Sequence, residues 1–131
     1  INKMVKILIL IYSFTFNLLS ENIYGKGVIC IYSDISNYSK YVVYIFKDKA
    51  EHYSFNQKRE KIYLHKYSGY NYKMNHKFIV LGNGFFKINK KSMQLLSKED
   101  KLLGICSFYN SKKKLLNQLE LYENIEQKKI Q

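Results

Sequence analysis

The chain has 131 residues and a formal net charge of +12 at pH 7, with 13 tyrosines, 8 phenylalanines, no tryptophan and no proline. That length is one domain's worth of polypeptide with a modest core. A lone arginine, Arg59, leaves the chain without the forked guanidinium donors that specific phosphate and base recognition prefers.

The first element is an apolar run, Ile7–Leu19, behind Lys3 and Lys6 and ahead of Ser20. As a helix it would reach only about 20 Å against a hydrocarbon core of roughly 30 Å. Ser13, Thr15 and Asn17 weaken it further as a permanent span. Basic start, short apolar centre and small polar end together predict a secretory signal helix over residues 1–20, cleaved near Ser20 with Leu18 at the third position back. An uncleaved anchor and a buried element of a cytosolic domain are the competing readings. Export places the remainder in the periplasm or outside the cell, with membrane contact only through the leader before cleavage. Ile1 is read as a rare-codon start with Met4 the true initiator, or as the edge of a fragment.

Setting Lys3 and Lys6 apart lowers the charge from +12 to +10. Such a field favours an anionic surface or polymer as partner, or an envelope protein. Lysines scattered through almost every segment nonetheless look like a solvated surface, and the Lys, Asn, Ile, Tyr and Phe excess is what AT-rich coding supplies.

Residues 21–113 read as an antiparallel β domain. Gly25-Lys26-Gly27 is a flexible entry, and Val28–Tyr32 a strand apolar on both faces. Ser33–Lys40 is a loop, and Tyr41–Phe46 the strongest strand, its unbroken apolarity arguing for burial. His52–Phe55 returns. Ile62–Tyr67 alternates, with Ile62 and Leu64 on one face and Tyr63, His65 and Tyr67 on the other. Ser68-Gly69 ends that strand, and Tyr70 and Tyr72 alternate beyond it. Phe78–Leu81 and Phe85–Ile88 flank a hairpin turn at Gly82-Asn83-Gly84. Met93–Leu96 and Leu102–Tyr109 complete the set. Strand-sized runs at intervals of roughly ten residues predict an all-β antiparallel sandwich or small barrel. From Leu115 the apolar spacing turns helical, predicting a short C-terminal helix over Lys114–Gln127 within the 114–131 tail. Lys112–Lys114 sit where a helix start prefers anions.

Cys30 and Cys106 lie in the first and last strands. Two cysteines allow one intramolecular pairing, and in an oxidising compartment they read as a disulfide clipping those strands together. Two free buried thiols in the cytosol are the alternative.

Local motifs for catalysis are missing. His52, His65 and His76 have no metal-ligand spacing, the carboxylates are dispersed, and no nucleophile elbow or phosphate loop is present. The expectation is therefore no enzyme, no cofactor and no metal. The one candidate binding face is Tyr63, His65, Lys66, Tyr67, Tyr70, Tyr72 and Lys73, where aromatics interleaved with cations would let sugars or bases stack. Half-buried sheet tyrosines are its plain alternative.

Three functions remain in view. The first is an exported β domain with a binding or structural role. The second is a basic, tyrosine-rich nucleic-acid-binding domain, should the leader be retained. The third is a small exported inhibitor or ligand-carrier barrel. The placing of Cys30 and Cys106 in first and last strands resembles periplasmic lysozyme-inhibitor barrels. That resemblance covers no family motif, and the basic partner it implies is mismatched to a basic domain.

Overall fold

Two apolar strands with no alternation, Val28–Tyr32 and Tyr41–Phe46, demand cover on both faces, and the fold provides it. The computed structural model describes residues 22–131; the expected leader and its cleavage site fall outside the described residues. The strands are β1 (Gly27–Tyr32), β2 (Tyr41–Phe46), β3 (Ala50–Lys58), β4 (Lys61–Tyr70), β5 (Tyr72–Met74), β6 (Phe78–Leu81), β7 (Phe86–Asn89), β8 (Gln94–Ser97) and β9 (Leu102–Tyr109), followed by helix α1 (Lys112–Ile130). All pairings are antiparallel, in the order β4-β3-β2-β1-β9-β8-β7-β6-β5. The sheet curls into a nearly closed barrel, the smaller-barrel form of the expected all-β class. Its two end strands are consecutive in the chain, joined through Asn71 alone.

One face of the sheet lines the interior, with Val28, Cys30, Val42, Tyr44, Phe46, Ile79, Leu81, Ile88, Leu95 and Cys106 buried together. The other face of β1 to β4 carries Ile29, Val43, Ile45, Phe55 and Ile62, and α1 covers it with Leu115 and Leu119. Burial from both sides is why β1 and β2 are continuously apolar. The shorter β6 alternates buried and half-buried residues instead.

First and last strands are neighbours, and Cys30 stands directly opposite Cys106. The Cys106 N–H donates to the Met93 carbonyl on the β8 side. Facing β1, the two cysteines therefore form a non-hydrogen-bonded pair, the position where opposed strands come closest. They are disulfide-bonded, with Cα atoms 3.9 Å apart.

The helix begins two residues before the expected Lys114 and runs three past Gln127. Ser111 explains the early start: its Oγ accepts from the Lys114 N–H, satisfying a terminal donor despite the cations in the first turn. Lys128 and Lys129 in the last turn complement the opposite pole. Leu115 lies so close over Gly27 that a Cβ there would stand 2.6 Å from Leu115 Cδ1 and 2.8 Å from the Tyr44 carbonyl. Farther along, Gln127 accepts from the Ile62 N–H at 2.8 Å and donates to the Glu60 carbonyl at 2.7 Å, tying the helix to the β3–β4 hairpin. Among the described residues no helix is long and apolar enough to cross a membrane.

Candidate binding site

The longest strands, β3 and β4, have 9 and 10 residues, against 4 in each of β6, β7 and β8. Their hairpin overhangs the rest of the barrel, and its concave side is lined with rings rather than aliphatic groups. The reason lies in the pairing. Ala50 faces Tyr70 and His52 faces Tyr67, so a step of two residues on β3 is matched by three on β4. This bulge at Ser68-Gly69 reverses the alternation and turns both Tyr67 and Tyr70 inward, where a regular strand would have placed them on opposite faces. Glycine is required there, because a Cβ on Gly69 would meet the Ala50 carbonyl oxygen at 2.7 Å.

His52 sits at the centre of the result. Its ring centroid lies 5.3 Å from Tyr44, 5.2 Å from Tyr67 and 5.6 Å from Tyr70. Tyr70 also meets Phe86 edge-on at 6.1 Å. With Tyr32, Val42 and Ser54, and with Ile35 and Ser39 from the 33–40 loop, these rings enclose a recess of about 290 Å³. That is the lower end of the size of small-ligand sites, roughly 300 Å³ upward. No charged side chain lines it.

The polar groups of the recess are phenols and an imidazole. Tyr44 is 1 % exposed, yet among the described residues its hydroxyl makes no hydrogen bond to protein, while no fully enclosed side-chain polar atom there lacks a partner. Tyr44 is part of the lining of the recess. Burial pushes the Tyr44 phenol well above its ordinary range, with Tyr32 and Tyr70 adding to the effect. Tyr32 is raised by burial and by Tyr70. Burial lowers His52. At neutral pH the recess thus offers converging, uncharged phenol hydroxyls and a neutral imidazole, able both to donate and to accept hydrogen bonds.

Of the residues singled out from sequence, Tyr67 and Tyr70 line the recess. His65 adjoins it, 4.6 Å from the Tyr67 ring, and Tyr63 follows at 6.1 Å from His65. The other three are elsewhere. Lys66 is on the opposite face, where its Nζ lies 2.9 Å from Glu51 Oε2 and over the Tyr53 ring. Tyr72 is turned into the barrel, 5.1 Å from the Phe46 ring, its hydroxyl donating to the Lys47 carbonyl at 2.7 Å. Lys73 is exposed on β5. Tyr32, Tyr44, His52 and Phe86 were not anticipated, since each belongs to a strand distant in sequence. The broken alternation at Ser68-Gly69 was the one local signal of the inward turn.

A second, more open recess of about 790 Å³ lies at the hairpin tip, lined by Lys58, Arg59, Glu60, Lys61, Tyr63, Gln127 and Gln131. Among the described residues no cluster of three or more histidines, cysteines or carboxylates could hold a metal ion. Comparison with known proteins finds no family model that matches the chain, and no match among curated proteins or solved structures.

Proposed function

We propose that the chain is a small exported binding domain without chemistry of its own, which takes one uncharged ring into the recess around His52. The observation that carries this reading is the gathering of Tyr32, Tyr44, His52, Tyr67, Tyr70 and Phe86 around one recess free of charged side chains, with no protein partner for the Tyr44 hydroxyl among the described residues. A phenol hydroxyl both donates and accepts, so a ligand hydroxyl or a water can complete its hydrogen bonding. Export is supported by the Ile7–Leu19 leader and by the Cys30–Cys106 bond, since disulfides persist in oxidising compartments.

Two measurements test the two halves. Mass analysis of protein recovered from cells is expected to give a chain starting near Glu21 and lighter by the two hydrogens of one disulfide. An intact leader with two alkylatable thiols would sink the export half. For the recess, aromatic NMR resonances are followed while methyl glycosides, phenol and thymidine are added in turn. At least one is expected to shift His52, Tyr67 and Tyr70 while leaving His76 unmoved. Tyr67→Ala or Tyr70→Ala should weaken that binding about tenfold, the loss of one aromatic contact. Failure of every probe to move those three residues overturns the binding half.

A further inference from the structure

We infer that the ligand is an acidic polysaccharide: one sugar ring of the chain sits in the recess and the next units run along β4 to the basic hairpin tip. The inference rests on the recess reading above and extends it beyond the recess itself.

The recess is not isolated. From His52 the rings continue to Tyr67, His65 and Tyr63, with successive centroids 5.2, 4.6 and 6.1 Å apart. Tyr63 in turn lines the second recess at the hairpin tip. From Tyr70 to Tyr63 this rail covers roughly 20 Å at about 3.3 Å per residue, longer than a single sugar ring. Its opposite face is packed, with Ile62 and Leu64 in the cluster beneath α1. The rail is therefore a supported surface.

At its far end stand Lys58, Arg59 and Lys61 against one acidic side chain, Glu60. The C-terminal pole of α1 points the other way electrically, and Lys128 in its last turn offsets it. The net field at the tip, within a chain of charge +10 once Lys3 and Lys6 are set apart, favours anions. The recess itself carries no charge. An occupant with an uncharged ring at one end and anionic groups farther along matches both ends.

Ring orientation separates sugar from nucleic acid. Tyr63 and His65 are inclined at 82°, and His65 and Tyr67 at 77°. Bases stacked in series want parallel faces, whereas beyond the His52–Tyr67 step, inclined at 32°, this rail presents faces and edges in turn. A glycan offers both an apolar C–H face and a hydroxyl edge, so alternate rings can take alternate contacts. The single guanidinium gives little means of reading base edges.

The test uses the mature, oxidised protein with three probes: oligogalacturonate, its methyl-esterified counterpart and oligothymidylate. The acid form is expected to bind best, more weakly as salt rises, shifting Tyr63 and His65 as well as Tyr67. Tyr63→Ala and the triple change Lys58→Ala/Arg59→Ala/Lys61→Ala should each lower its affinity about tenfold, while single-ring binding in the recess stays unchanged. That unchanged binding also verifies that the variants fold. Equal affinity for the esterified form, or binding confined to the recess, overturns the acidic chain and leaves the recess reading standing. Tighter binding of oligothymidylate overturns the glycan in favour of nucleic acid. Silence at Tyr67 and Tyr70 with every probe overturns both.

Discussion

Glu126 is the acidic side chain most deeply enclosed among the described residues, 3 % exposed. Burial alone would raise its pKa. Hydrogen bonds from Lys129 at 2.9 Å and Tyr41 at 3.2 Å, with the Lys40 charge at 3.8 Å, outweigh that and hold it below the usual carboxylate range. A depressed folded pKa stabilises the fold above the ordinary carboxylate value, and that contribution is lost as pH falls through the depressed value. Tyr41 responds in the opposite sense. Burial, and then Glu126, push it from 10.0 to about 12, so its contribution is complete below pH 10 and lost as pH rises towards 12. Urea denaturation across pH should show both shoulders, and Glu126→Gln should shrink the acid one, to which Glu51, held low by its hydrogen bond from Lys66, also contributes. Glu126→Ala at pH 7 should cost about 2 kcal/mol, the scale of lost hydrogen bonds to a charged group. An unchanged acid limb in Glu126→Gln would place the acid sensitivity elsewhere.

The helix and the sheet meet most tightly at Gly27. A methyl there would collide with Leu115 and with the backbone of β2 at once, and only the leucine can move aside. Gly27→Ala should cost about 1–3 kcal/mol through overpacking, with faster amide exchange in α1 as the sign that the helix has lifted. Leu115→Ala should cost about 2–5 kcal/mol by leaving a cavity. Both are read from denaturant midpoints, and a normal α1 exchange rate in Gly27→Ala would disprove the contact. How much of this was legible in the sequence differs between elements. The strands were, since Tyr41–Phe46 and Ile62–Tyr67 carry their signals in β-branched, aromatic and alternating residues. The helix was legible in its middle, from the spacing of Leu115, Leu119 and Tyr122, but not at its start, where a serine cap outweighs three lysines. The bulge read as a strand end, because Ser68-Gly69 has turn chemistry whichever it makes. The recess was legible only in Tyr67 and Tyr70, its remaining walls coming from strands brought together by tertiary pairing.

At the scale of the whole chain, one cross-link closes most of the domain. Cys30 and Cys106 are 76 residues apart, so their bond removes unfolded-chain entropy worth about 4.5 kcal/mol in the loop-closure picture. Against a typical domain stability of about 5–15 kcal/mol that is a large share. The Cys30→Ala/Cys106→Ala variant should unfold at markedly lower urea, and reductant should move the unaltered protein to the same midpoint. A midpoint unaffected by either would mean that the sheet holds without its clip. The passage through Asn71 has its own consequence. A sheet whose outermost strands follow one another in the chain brings both of its borders to a single seam. β4 and β5 are not paired with each other, so a nick at that seam would let two sheet edges part, each a template for another copy. The place where a protease would most readily turn this barrel into a fibre-former is thus a single asparagine, the residue that follows Tyr70 of the ring-lined recess.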